Sequence, residues 1–158
     1  VMEDGEIVRG ETNIPKTNKK IDRVFLEPGD VEPMEEAVEA LEHADLIVLG
    51  PGSLYTSVIS NLCVKGVSEA LLRSKAPKLY VSNVMTQPGE TNDYDVYDHI
   101  KAIHQHAGEP FIDYVICSND AFDEQILQRY KERNAHPVST NKIKLTENNI
   151  KKITSGFY

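Results

Sequence analysis

Tryptophan is absent, cysteine occurs twice in 158 residues, and basic side chains are outnumbered by acidic ones, 17 to 25, for a formal charge of −8. Each shortage removes a class of function. Cys63 and Cys117 both sit in apolar surroundings, too few for a disulfide framework, and read as buried reduced thiols of a cytoplasmic protein. The acid excess, relieved only by the isolated pairs Lys19-Lys20 and Lys151-Lys152, argues against nucleic acid as a partner, because a phosphate backbone is held by concentrated positive charge. No apolar stretch approaches the length of a bilayer span, so no membrane insertion is expected, and no secretory leader is recognisable. Familiar motifs are missing too: there is no GxGxxG, no Walker loop and no GxSxG elbow. His99, His104 and His106 lack zinc-ligand spacing and a nearby cysteine pair, so they read as solvated or helix-terminal side chains, and neither a hydrolase nor a metal centre is expected.

What is present is an alternation of short apolar runs with amphipathic stretches. Strands are predicted at 24–26, 46–49, 78–84, 114–117 and 150–153. Helices are predicted from Pro33 through Leu41, around Val67 to Leu71 after an earlier turn at Val58 to Leu62, from Val96 to Ala107, and from Phe122 to Tyr130. The strands beginning at 46, 79 and 114 recur at about 33 to 35 residues, the length of a βαβ unit, which implies a parallel sheet covered by helices. With 40% hydrophobic composition, residues 1–158 can bury the core of one α/β domain.

Two loops carry the chemistry. The run Leu46 to Leu49 stops at Gly50-Pro51-Gly52 and passes through Ser53, Leu54, Thr56 and Ser57, so glycine backbone, helix-start N–H groups and hydroxyls could meet an anion such as phosphate. An ordinary strand-to-helix turn is the alternative. The run ending at Val84 enters a second polar loop containing Asn83, Thr86, Gln87, Gly89, Glu90 and Thr91. Because open parallel sheets bind ligands beyond the carboxyl ends of their strands, both loops are expected to face one shared crevice. Glu90 is a candidate for ligand contact or for holding a magnesium ion against a diphosphate, whereas Asp93 or Asp95 is expected to cap the helix that follows, with Asp98 near its positive end. Tyr130 has two readings, core packing with its hydroxyl exposed or stacking on a flat ligand.

Three segments together are more specific than any one of them: Ala44 to Ser57, Val81 to Thr91, and Asp98-His99-Ile100-Lys101-Ala102-Ile103-His104, with Gly10-Glu11-Thr12-Asn13-Ile14 in support. They resemble the YvcK branch of the CofD-like family, the gluconeogenesis factors. The resemblance implies a Rossmann-like, three-layer α/β fold with a mostly parallel sheet and helices on both faces. It also implies binding of a UDP-sugar such as UDP-N-acetylglucosamine, in support of cell-wall morphogenesis and gluconeogenic growth in bacteria. In the related CofD enzymes, 2-phospho-L-lactate passes from a guanosine diphosphate donor to a deazaflavin with magnesium. A transferase of that type is therefore the alternative, and a half-domain whose loops merely turn is a third. By the same resemblance Tyr130, in Gln128-Arg129-Tyr130, is similar to a tyrosine that stacks on the nucleotide base. The family's Gly-Gly-Gly-Thr-Gly loop is not in this sequence, so the chain resembles the carboxyl-terminal half of a longer protein. A homodimer is the expected assembly, and no cofactor is expected beyond magnesium accompanying a bound nucleoside diphosphate.

Overall fold

The computed structural model describes residues 1–17, 19–118 and 122–153. Four strands, β1 (Ile47–Leu49), β2 (Lys78–Val81), β3 (Tyr114–Ile116) and β4 (Lys151–Ile153), form one sheet in the order β1-β2-β3-β4. Every neighbour is parallel, with Val48, Leu79, Tyr114 and Lys151 in register across it. The α/β class and the parallel sheet therefore stand as the periodicity implies. The strands are shorter than their apolar runs, because the chain leaves the sheet early to build loops. After β2, Val84 no longer pairs with β3; its carbonyl accepts from Val138 N–H at 2.9 Å.

Alternation along the strands separates two faces. Ile47, Leu49, Tyr80 and Val115 point into the core, where Tyr80 and Val115 are fully enclosed. Leu46 and Val48 on the opposite face are each 50% exposed, so β1 is an edge strand with one open face rather than the fully buried strand its continuous apolar run suggests.

The helices supply the rest of the core. α1 (Glu35–Glu42) begins after Met34, which leaves Pro33 outside the first turn where it was expected, and its partly buried Val38 and Leu41 pack toward α3 (Val67–Arg73). After β1 the chain enters a π-helical turn, Leu54–Ile59, in which Val58 N–H reaches back five residues to Ser53 C=O at 3.0 Å, and continues into α2 (Ser60–Leu62). α4 (Val96–Ala107) buries Val96, Ile100 and Ile103 completely. Its start is a reciprocal capping box: Asp95 Oδ1 accepts from Asp98 N–H at 2.8 Å, and Asp98 Oδ2 from Asp95 N–H at 2.9 Å. Asp93 instead takes a left-handed turn at φ 61°. α5 (Glu124–Lys131) starts at the Asp123 cap, so Phe122 precedes it, and α6 (Lys142–Glu147) follows, capped by Asn141. No helix among the described residues is long and apolar enough to cross a membrane.

Two expectations are corrected here. Residues 24–26 are not a strand: the contacts that order the amino-terminal segment include a Met2–Ile21 bridge, the 3-10 helix Glu11–Thr17 and Val24 N–H donating to His106 Nε2 at 3.1 Å. His104 and His106 lie in the last turn of α4, helix-terminal as expected and partly buried, whereas His99 is not solvated. His99 is fully buried, its Nδ1–H donating to Asp95 C=O at 2.8 Å, while His104 Nε2 accepts from the N–H groups of Phe111 and Ile112 at 3.3 and 3.1 Å. Burial holds all three below the usual histidine pKa, His104 at about 4, and the neutral rings of His104 and His106 serve as hydrogen-bond acceptors that fasten neighbouring chain to α4, whereas His99 Nε2 is buried without a partner among the described residues. Cys63 is partly buried and Cys117 buried, and both are free thiols.

Candidate functional site

At the carboxyl ends of β2 and β3 lies a cavity of about 540 Å³. Because β1 and β2 are parallel neighbours, the loops that leave them open at the same sheet edge, as the two polar loops require. One wall is polar: Pro51, Gly52 and Ser53 from the first loop meet Ser82, Asn83 and Gln87 from the second. The opposite wall is apolar, with Val81 and Ile116 from the strands and Phe122, Ile126 and Tyr130 from α5 and its approach. Met85, Val84, Cys117 and Ser118 complete the lining, and no lysine, arginine, histidine or carboxylate is among the described lining residues.

The polar wall is tied together across the two loops. Gln87 Nε2 donates to Ser53 Oγ at 2.8 Å, and Gly52 N–H lies 3.4 Å from Asn83 Oδ1. Beneath them Glu90, only 6% exposed, accepts from Tyr55 N–H and Thr56 Oγ1–H, each at 3.4 Å. Burial raises the Glu90 pKa, and these two donors partly oppose the rise. Gly50 turns the chain at φ 82°, where a Cβ would lie 2.8 Å from Val81 C=O, so a side chain there would collide with β2.

Of the thirteen candidates, Pro51, Gly52, Ser53, Asn83, Gln87 and Tyr130 line the cavity. The others frame it. Gly50 makes the turn and Leu54 is fully buried. Thr56 is spent on Glu90, and exposed Ser57 lies outside the lining, its carbonyl receiving Asn61 Nδ2–H at 2.6 Å. Thr86 is bound twice to His136, its N–H donating to the His136 carbonyl at 2.7 Å and its Oγ1 accepting at 2.9 Å. Thr91 Oγ1, fully buried, accepts from Gln87 N–H at 2.8 Å. Tyr130 is 43% exposed, so its ring forms a wall rather than core packing. Glu90 does not suit a magnesium ion: its oxygens are buried and already receive two donors, and no three His, Cys, Asp or Glu side chains converge on a metal position among the described residues. The sequence reading missed Ile116, Cys117 and Ser118 at the end of β3, Phe122 and Ile126 at α5, and Val81, Ser82, Val84 and Met85 beside the second-loop candidates. The rule applied to the first two strand ends, extended to the third, would have found the first three.

Comparison with known proteins places this geometry. A family model described as 2-phospho-L-lactate transferase CofD matches residues 1–158. The gluconeogenesis factor of Halalkalibacterium halodurans is 46% identical over 156 residues, which is 99% of this chain and 48% of that protein. That of Bacillus subtilis is 44% identical over 137 residues, 87% of this chain and 43% of that protein. A crystal structure of a upf0052-family protein from Bacillus halodurans superposes with a TM-score of 0.95 at 46% identity, covering 99% of this chain and 50% of that one. The chain thus spans about half the length of the curated relatives it matches. Matched along its whole length by the family model, and this close to its gluconeogenesis factors in sequence and fold, the chain belongs to the CofD family, in the YvcK-type gluconeogenesis-factor branch.

Proposed function

We propose that this chain contributes one part of a site for a nucleoside-diphosphate sugar, a UDP-sugar such as UDP-N-acetylglucosamine. In this reading the intact protein is a non-catalytic regulator of gluconeogenic growth and cell-wall morphogenesis in bacteria. The observation that carries the reading is the two-walled cavity: uncharged donors at Gly52, Ser53, Asn83 and Gln87 on one side, an aromatic and aliphatic surface at Phe122, Ile126 and Tyr130 on the other. A diphosphate is held well by N–H and O–H groups, and a base needs only a flat apolar face, so the two walls suit the two ends of one ligand. The cavity of about 540 Å³ is within the range of small-ligand sites. A regulator needs only a ligand that favours one conformation, so ligand should raise thermal stability and be recovered intact. The test is calorimetry of the full-length protein with UDP-N-acetylglucosamine, with and without magnesium, followed by mass spectrometry of the ligand after incubation with cell extract. Binding with unmodified ligand supports the regulator. Turnover that releases UDP, lost on Ser53→Ala, would make the protein a transferase.

A further inference from the structure

Gln87 is held by its own backbone before its side chain does anything. Its N–H donates to Thr91 Oγ1 at 2.8 Å, and its carbonyl accepts from the N–H groups of Glu90 and Thr91 at 3.0 and 2.9 Å. From that fixed base the side-chain amide reaches across to the first loop, where Nε2 donates to Ser53 Oγ at 2.8 Å, while Oε1 is buried with no donor. A serine hydroxyl has one proton to give and two lone pairs to receive with. Gln87 fills one receiving position, which leaves the Ser53 proton free, and among the described residues no acceptor takes it. Both side chains line the cavity.

We infer that Gln87 is a positioning residue: by donating to Ser53 Oγ it commits that hydroxyl to act as a donor toward the ligand, so that the cavity selects an acceptor oxygen, such as a phosphoryl oxygen, at this point. The inference rests on the nucleoside-diphosphate reading above. An amide is suited to the task because its N–H end holds the hydroxyl without claiming the proton. A carboxylate in its place would take the proton from Ser53, turn the hydroxyl away from the ligand and add a negative charge beside the phosphates. An aliphatic side chain would leave the hydroxyl free to rotate.

The test is calorimetry of the full-length protein with UDP and with uridine, for the unsubstituted protein, Gln87→Glu, Gln87→Leu, Ser53→Ala and the Ser53→Ala/Gln87→Leu pair. Gln87→Glu is expected to weaken UDP about thirtyfold and uridine by less than about threefold, because only UDP presents an anion. Gln87→Leu is expected to weaken UDP about fivefold, and to add nothing once Ser53 is alanine, since it acts through that hydroxyl. Retained uridine binding shows that each variant keeps a folded site. Additive losses in the pair, or equal weakening of UDP and uridine, would overturn the role of Gln87 and leave the ligand reading standing. An unsubstituted protein that binds neither compound would overturn both.

Discussion

The polar and apolar walls of the cavity are built to different tolerances. On the polar side four hydrogen bonds cross between the loops after β1 and β2, and two of them end on a carboxylate, that of Glu90, that is almost entirely enclosed. On the apolar side α5 has no buried residue, and Ile126 and Tyr130 are 45% and 43% exposed. Donors that must meet an anion at fixed distance gain from being held in place, whereas a flat apolar face works over a range of positions. Rigidity is concentrated where direction matters.

The strongest way to break this contrast is at Gly89, which turns the second loop at φ 83° and where a Cβ would lie 2.1 Å from the Pro15 carbonyl. Gly89→Ala should cost more than about 3 kcal/mol of stability, because both the backbone conformation and the packing of residues 11–17 against the loop forbid a side chain. Urea denaturation measures it, and a loss below 1 kcal/mol would mean that the braced wall is not braced there.

Next comes a comparison within the first loop. Ser53→Val should weaken a nucleoside-diphosphate ligand by about 1.5–3 kcal/mol, since a donor to a charged oxygen is lost. Sequence alone treats Thr56 as its equal. The structure does not, because Thr56 faces Glu90, so Thr56→Val should lower stability and leave affinity within about 0.5 kcal/mol. Calorimetry of both variants of the full-length protein distinguishes them.

The support beneath the braced wall is α4, whose His106 ring packs 5.9 Å from that of Tyr55. At His104 the native pKa is about 4 against 6.5 for an ordinary histidine, so between these pH values the unfolded chain binds a proton that the native one refuses. Stability is therefore full above pH 6.5 and falls as the pH drops toward 4, and His99 and His106 shift in the same direction. From pH 7.5 to 5 the His104 share is about 1–2 kcal/mol after allowing for its partial solvent contact. His104→Gln should flatten the profile of urea midpoints by that amount, and an unchanged slope would contradict the assignment.

The smallest effect is expected on the tolerant side. Tyr130→Leu should lose about 1 kcal/mol of base stacking while thermal stability stays within about 0.5 kcal/mol, and Tyr130→Phe should change neither. A large drop in stability for either variant would place Tyr130 in the core after all.

How much of this was legible depended on whether the cause was local. Ile47 to Leu49 and Lys78 to Val81 declare themselves as strands, because apolar runs ended by glycine or polar turns have few other uses. The same reasoning found the loops, and with them the polar wall. It failed at Val24 to Leu26, whose apolar character serves contacts with distant residues rather than a ladder. It failed again at His99, because nothing near it in the chain says that Tyr80 and Tyr94 will close over it. The π-helical turn gave no advance sign either, since Leu54 to Ile59 suits an ordinary helix equally well until burial of Leu54, Tyr55, Val58 and Ile59 sets its pitch. The division of labour between Ser53 and Thr56 could not be read at all, for two hydroxyls three positions apart differ only in what tertiary structure sets before them.

The bond from Val24 to His106 spans 82 positions of the chain. A contact of such separation has to wait for the intervening chain to be organised, and β1, β2 and all but the last residue of α4 lie within that interval. Residues 1–27 are therefore expected to settle last during folding, onto a sheet and helix already assembled, and to be the first to come away when the protein opens locally. A protease added to the native protein would find its earliest cut there, well before the sheet is breached, and the loop bearing Gly89, on which residues 11–17 rest, would feel the loss first.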